Sequence, residues 1–482
     1  MAVNRLVARV PLDALTPTFA AIRARHSIAE DYPAAVVSEA RKVAALSGEL
    51  PHVTGERADR TDVALVTIDP EGSRDLDQAL AIEPQGDGWL VRYAIADVGA
   101  HVAPGGAIDR DTWTRAETVY CPDKRVGLHP PEMSEGFASL LPGQRTKAAL
   151  WTIEVGSDGE IGAANVERAW VTSRRQYSYV QLATSPPDEA LSLVTAMKGL
   201  GDARRTHVAR RGGVTLPKPT QEVVVADGEL ALEFRAAVGI EDDNAHVSLL
   251  TGEAAARIML EAGVGVLRTM PPAQPQALER LRRQAKALGV SWPDEKGYAD
   301  VLAGLDVGSP RAAAFLTQAT RLFRGAAWEP FDPPRLPVPA QRDHGALARP
   351  YAHVTAPLRR LVDRYGTEVC LAHCAGQPVP PWVHEALPGL GAAMTAGVRT
   401  GSAVDRECVD AVEAAVLAPH VGETFEAVGL DDRTVQVAAP AVVASCSGAV
   451  EVGERQSVRL VSADAGGAKF AAVESKNLDP TS

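Results

Sequence analysis

Three observations predict a mixed α/β chain of several domains. Its 482 residues are too many for one hydrophobic core and suit roughly two to four domains. Near Val63 the pattern changes from helical stripes to strands and turns. Past Val421, short strands recur between regularly spaced turn residues. Hydrophobic residues make up 46% and charged residues 23%, the proportions of an ordinary globular protein. The opening ten residues hold no secretory apolar region, and no apolar run is long enough to span a bilayer. A cytoplasmic protein without membrane contact is therefore expected, and a monomer is the expected assembly.

The five cysteines are scattered and odd in number, which argues against a disulfide framework. Cys370 and Cys374 share a helix face beside His373, but without a second ligand pair they read as free thiols rather than a metal site. A net charge of −12 disfavours a broad nucleic-acid surface. Basic pairs at Arg174–Arg175, Arg204–Arg205, Arg210–Arg211, Arg282–Arg283 and Arg359–Arg360 leave room for a local channel, although a solvated surface explains any single pair.

Residues 1–60 predict a short helical N-terminal module. Thr16–Pro17 reads as a cap and first turn leading to Phe19 and Ile22. Pro33 opens a second helix with Val36, Val37, Ala40, Val43 and Ala44 on one stripe, ended by Gly48. The module is either helix-turn-helix-like or a cap on the next domain; DNA binding is the less favoured reading because no basic recognition helix stands out.

Residues 61–415 predict an α+β body. Apolar, branched residues 63–68 read as a buried strand, and residues 89–96 as a second one ending at Asp97, which either faces an acidic site or caps the strand. Residues 108–120 suit a helix running into Tyr120. Further strands are expected at 148–155 and from 166 to an exposed aromatic pair, Tyr177 and Tyr179. Residues 186–330 read as alternating helices, among them a buried central helix over 247–267 that holds the carboxylate of Glu253, a group rarely buried without a partner or a task. The Pro-rich stretch 326–339 is expected to be irregular. Pro357 reads as a helix start with Arg359, Arg360 and Asp363 in the first turns, an arrangement suited to phosphate. Helix is then expected to about residue 417.

Residues 416–482 predict a small closed barrel of the OB type, a fold that binds single-stranded nucleic acid, with Phe425 and Phe470 as its aromatic candidates.

The chemistry concentrates in Thr67-Ile-Asp-Pro-Glu-Gly-Ser-Arg-Asp-Leu-Asp-Gln-Ala-Leu80. Asp69 stands at a strand end, the Pro-Glu-Gly-Ser must turn, and Asp75 and Asp77, two apart in extended chain, face the same way. Three converging carboxylates repel unless a hard divalent cation neutralises them. A solvated acidic turn is the plain alternative.

These residues resemble the ribonuclease II / ribonuclease R (RNB) exoribonucleases. The stretch from Thr67 resembles the family's metal-site signature, Tyr93-Ala-Ile-Ala-Asp-Val a second signature, and Tyr351-Ala-His-Val-Thr-Ala-Pro-Leu-Arg-Arg its Tyr-Ala-His-Phe-Thr-Ser-Pro-Ile-Arg-Arg hallmark. The tail is similar to the S-one-type OB domain of these enzymes. The resemblance implies an RNB catalytic domain over 61–415, with Asp69, Asp75 and Asp77 binding Mg²⁺ or Mn²⁺, Asp77 indispensable, Glu253 near the scissile phosphate and Arg359 gripping it. Tyr120 and Tyr179 would hold the 3′-terminal nucleotides, with Arg360 beside Arg359.

The sequence also departs from the family. Gln78 replaces a fourth aspartate and could offer only an amide oxygen to the metal. Leu216 stands where a stacking aromatic is common, Ala356 where Ser precedes the Pro, and Leu361 where Tyr follows the arginines. The residues before Thr61 are too few and too helical for the paired cold-shock barrels. The implied function is processive 3′-to-5′ hydrolysis of single-stranded RNA to nucleoside 5′-monophosphates by two metal ions. The rivals are an RNB-fold protein that binds RNA without cutting it, which Gln78 favours, and a DNA-associated regulator acting through the N-terminal helices.

Overall fold

The computed structural model describes residues 9–473 apart from 47, 215–218, 236–238, 307, 339–340 and 465, so Leu216 lies outside the described residues. A five-stranded sheet organises the body, in the order Ala58–Asp59, Ile161–Thr172, Arg145–Val155, Gly88–Ala96, Gln78–Gln85. It is antiparallel except for the short first strand. Alternation decides its faces. Leu80, Ile82, Val91, Tyr93, Ile95, Trp151 and Ile153 point to one side, where they pack with Met197 and Leu200 of the helix Leu191–Arg210 and Val247 and Leu250 of the helix Gly239–Ala262. The intervening Ala79, Ala81, Ala94 and Ala148 point to the other, and their small size lets Leu65, Leu76 and Leu140 lie close against the sheet.

Several expected elements are redrawn. Regular strand covers only Thr67–Asp69 of the predicted 63–68, and it pairs in parallel with Gln176–Ser178. The helix at 108–120 stops at Arg115, because Ala116 takes φ +60 and Val119–Tyr120 turns into a two-residue strand against Arg125–Val126. The central helix ends at Ala262, and Gly265–Thr269 is a strand paired with Ala327–Phe331, inside the stretch expected to be irregular. A hairpin, Thr220–Ala226 with Glu229–Arg235, interrupts the helices of the middle region. The helix after Pro357 begins only at Leu361, since the N–H groups of Arg359 and Arg360 both turn back to the Ala356 carbonyl. Two helices, Leu361–Cys374 and Pro381–Leu417, follow in place of one.

Five strands, Thr424–Gly429, Thr434–Val437, Val442–Ser447, Arg455–Asp464 and Gly467–Ala472, close into the expected barrel. Phe425 and Phe470 meet edge to face at 5.8 Å inside it. Both are buried, so they fill the barrel instead of offering stacking surfaces. The helix Pro381–Leu417 ties the two halves: Val383, Leu387 and Leu390 enter the sheet-and-helix core, while Val404, Cys408 and Val412 share a core with the barrel.

The N-terminal helices Leu12–Arg25 and Ala34–Ala44 enter different cores. Phe19 and Ile22 of the first join the barrel-side cluster, while Val36 and Ala40 of the second pack with Ile108, Met133 and Leu358. The first helix starts at Leu12 and carries Pro17 within it, ahead of the cap expected at Thr16.

Buried charge fixes the join between sheet and helix. Asp97 accepts from Arg57 at 2.8 Å and from Arg168 at 2.7 Å, and Arg168 also donates to Glu368 at 2.7 Å. Burial opposes ionisation of Asp97, but Arg168 and Arg57 outweigh it and hold the carboxyl below its usual range. Asp97 also accepts the N–H of Ala100, so it is a structural cap in a closed ionic network. Replacing Arg168 by Met would leave Glu368 buried without its partner. The expected loss is about 3 kcal/mol in urea unfolding, with part of it returned when Glu368→Gln is added.

Candidate active site

The acidic stretch is shaped by what lies beneath it. Leu76 is fully buried and drives between Asp75 and Asp77 into the alanine face of the sheet. Ser139 clamps the same turn, accepting the Leu76 N–H at 2.9 Å and donating to the Arg74 carbonyl at 2.6 Å. Gly72, at φ +82, makes the preceding turn. The two aspartates on either side of Leu76 are thereby held on one side of the chain.

Asp77 is 6% exposed. Its Oδ1 accepts the Leu358 N–H at 2.7 Å, and its Oδ2 lies 3.8 Å from Arg359 Nε. Burial pushes its carboxyl up to about 8, against the pull of Arg359 and the Leu358 N–H. Asp69 closes its strand with Oδ2 buried and without a partner. Burial, then repulsion from Asp75, pushes it up to about 7. Asp75 forms an ion pair with Arg125, which also binds Glu135. A buried carboxylate and a partly buried one, both resisting ionisation, make an oxygen-only donor set, the kind a hard divalent cation satisfies. Among the described residues no three carboxylate, histidine or cysteine side chains lie close enough to enclose an ion by themselves.

Gln78 is turned away from this group by alternation, toward the helix face of the sheet. Its Oε1 accepts from the Tyr93 hydroxyl, and its Nε2 donates to the Thr355 carbonyl at 2.6 Å. Tyr93 also meets Ser248 of the central helix at 2.9 Å. With both ends of its amide engaged, Gln78 braces the loop 351–360 and has no free oxygen directed at the aspartates.

Arg359 is held by its backbone, its carbonyl accepting the Thr118 N–H at 3.0 Å, while its side chain stays 46% exposed beside Asp77. Arg360 instead turns inward onto Asp363 at 2.7 Å. Tyr120 stands half out of the surface, in the field of Arg359, Asp75 and Asp77. Tyr179, near Asp69, accepts from Asn244 Nδ2 at 3.0 Å, and burial pushes its phenol up to about 12. Tyr177 is buried in the core, which breaks the expected exposed pair.

Glu253 is not brought to this group. Its Oε1 accepts from Arg204 at 2.7 Å and Arg211 at 2.6 Å, and it lines a separate cavity of about 300 Å³ with Arg257 and Arg349. Arg204 and Arg211 are seven residues apart and so share a helix face, a spacing visible in the sequence that pairing neighbours had hidden. Ser139, Arg125, Tyr93, Thr355 and Asn244 are the supporting residues that sequence reasoning missed. Tyr93 and Thr355 had a signal, their places in the Tyr-Ala-Ile-Ala-Asp-Val and Tyr-Ala-His-Val-Thr-Ala-Pro-Leu-Arg-Arg stretches.

A protein-family model described as RNB domain matches residues 57–369, and one described as RNase II-type exonuclease C-terminal S1 domain matches residues 423–473. Ribonuclease R of Escherichia coli (strain K12) is 26% identical over 359 residues, covering 70% of this chain and 42% of that protein. Exoribonuclease 2 of Yersinia pestis (strain Pestoides F) is 26% identical over 376 residues, covering 73% of this chain and 55% of that protein. The chain thus spans about half the length of these curated relatives. The structure of Mycoplasma genitalium RNase R in complex with ribose methylated single-stranded RNA superposes with a TM-score of 0.83 over 95% of this chain and 78% of that one, at 19% identity, which establishes likeness of fold.

The raised carboxyl of Asp77 carries a sign that can be checked. A group held at about 8 when folded but near its ordinary 3.8 when unfolded favours the fold at low pH and loses that contribution as pH rises through 8. In EDTA, Asp77→Asn is expected to melt several degrees above the unaltered protein at pH 9 and close to it at pH 4, the gap at pH 9 being on the order of a few kcal/mol. Adding Mn²⁺ at pH 9 is expected to stabilise the unaltered protein and leave the variant unmoved.

Proposed function

We propose that this chain, which belongs to the RNB family, hydrolyses single-stranded RNA from its 3′ end and releases nucleoside 5′-monophosphates. One observation carries the reading: an exposed guanidinium, Arg359, stands against a buried carboxylate, Asp77, that has one oxygen free of hydrogen bonds. Asp69, Asp75 and Asp77 would hold Mg²⁺ or Mn²⁺, with water and substrate phosphate oxygens completing a shell that the carboxylates alone do not close. A pair of such ions, when bound, supplies an activated water and stabilises the leaving 3′ oxygen.

The chain's own residues then divide the remaining work. Arg359 faces the phosphate and offsets the charge that builds on it in the transition state. Arg125 holds Asp75 in place through their ion pair. Tyr120, half exposed beside Arg359, offers a ring face to the last bases, and stacking of that kind needs no particular base. Tyr179, fixed by Asn244 near Asp69, would hold the 3′-terminal nucleotides with Tyr120. Arg360 serves by orienting the loop through Asp363. Repeated cleavage without release would follow from a strand held in a channel ending at Asp77, with the barrel as the entry surface. Glu253, paired twice with arginine, is assigned to the support of the helices rather than to the reacting phosphate.

The rival reading, RNA held without cleavage, draws on the commitment of Asp75 to Arg125 and of Gln78 to Tyr93 and Thr355. Incubation of 5′-labelled single-stranded RNA with Mg²⁺ and with EDTA separates the two. Stepwise shortening with mononucleotide release in Mg²⁺ alone is expected; intact RNA in both would leave binding as the function. Asp77→Asn is expected to abolish release while RNA retention persists. Arg359→Ala should lower kcat by about 100- to 1000-fold, as loss of a transition-state donor does, with a smaller change in KM.

A further inference from the structure

Arg268 is the one partly or wholly buried arginine, among the described residues, whose side chain meets neither a carboxylate nor a carbonyl. The contrast with its peers is sharp: Arg23 has Glu30 and Asp123, Arg57 and Arg168 share Asp97, Arg204 and Arg211 share Glu253, Arg364 has Asp109. The Arg268 Nη1 is buried and unpartnered, and the guanidinium carbon stands over the Trp328 ring, 3.8 Å from its centre. The ring is itself almost wholly buried, so it orients the cation and leaves no face for a base. A guanidinium in this state costs free energy unless an anion reaches it.

Its surroundings deepen the imbalance. Burial and then the neighbouring Arg360 push the Arg268 guanidinium below its usual range. The carboxylate in its field is Glu117, which also lies in the fields of Arg360 and Arg359 and makes no ion pair with any of the three. Three guanidiniums, of Arg268, Arg359 and Arg360, therefore act on one half-buried carboxylate. The backbone links them as well: the Arg268 N–H binds the Tyr351 carbonyl at 2.7 Å, at the start of the loop that carries Arg359.

We infer that Arg268, held over Trp328, takes a backbone phosphate of the bound RNA on the 5′ side of the linkage that Arg359 faces. The inference rests on the proposed 3′-to-5′ reading. If the strand is shortened at its 3′ end beside Asp77, nearly all of its remaining phosphates lie on the 5′ side, and Arg268, on the strand bonded to the start of the loop that carries Arg359, is the neighbouring guanidinium without an anionic partner. A planar guanidinium whose donors are unpaired suits a phosphate better than a point charge would.

Arg268→Met tests this, because removing an unpaired half-buried charge does not weaken a fold. The variant is expected to melt no lower than the unaltered protein. In EDTA it should bind a 5′-labelled oligouridylate about tenfold more weakly at low salt, with a salt dependence shallower by about 0.7 in log–log slope. Oligouridylates carrying one neutral methylphosphonate linkage at successive positions locate the contact. At one linkage on the 5′ side, neutralisation should weaken binding by the unaltered protein and leave binding by the variant unchanged. A variant that melts lower or fails to fold would mean that Arg268 has a structural partner, and would overturn the inference. So would unchanged affinity, or a variant that feels every neutral linkage as the unaltered protein does. An unaltered protein that binds no oligouridylate would instead remove the proposed function itself.

Discussion

The arrangement of the site depends on one hydrogen bond between segments far apart in the chain, from the Leu358 N–H to Asp77 Oδ1 at 2.7 Å. A buried carboxylate is costly, and a backbone donor recovers part of that cost. Gln78 adds a second clip onto the same loop through the Thr355 carbonyl. Neighbouring residues of the strand thus reach the loop from opposite faces, which fixes its height and its rotation. Leu358 is also packed beneath by Val36 and Ala40 of the second helix, so the donor is held from the apolar side. Arg359 follows directly, and its position beside Asp77 is a consequence of that anchoring.

Two kinds of buried charge can be told apart in the molecule. Asp97, Arg57, Arg168 and Glu368 form a closed network in which each charge has a partner, and it joins the sheet to the helix Leu361–Cys374. Arg204, Glu253 and Arg211 form another. Asp69, one oxygen of Asp77, and Arg268 are left open. Closed networks hold the fold whether or not a ligand is present. Open charges stay costly until a cation or a phosphate arrives, and binding then returns free energy to the folded state.

Two central strands of the sheet, Gly88–Ala96 and Arg145–Val155, were legible as apolar runs beside turn residues, and the barrel because its turns are evenly spaced, while the edge strand Gln78–Gln85 went unread behind the acidic turn. Asp69, Asp75, Asp77 and Arg359 were legible as chemistry from their motifs. What stayed hidden were choices made by tertiary contact. Asp97 and Asp77 end neighbouring strands, and nothing local says that Arg57 and Arg168 claim the first. Pro357 favours a helix start, yet the turn onto Ala356 delays the helix to Leu361, since the loop is held to Asp77 and Thr118 first. Tyr177 and Phe470 read as surface aromatics because aromatic residues suit both a wet groove and a core, and burial alone separates the two uses.

The net charge of −12 looked adverse to a polyanion ligand, and the structure gives the reason that it is a poor guide. Many of the acidic residues are spent on nearby arginines, as at Glu30, Asp97, Asp109, Glu253 and Glu368, where each pair is close to neutral at a distance. Charge felt by a ligand is what remains after such pairing, within a screening length of about 8 Å at physiological salt. Near the site that remainder has two signs in sequence: carboxylates at Asp69 and Asp77, then guanidiniums at Arg359 and Arg268 around a single Glu117. A cation bound at the first would let a phosphate approach, and the second would hold the strand behind it. A shift of total charge elsewhere on the surface would change this gradient little, whereas one substitution among these few residues would change it at once.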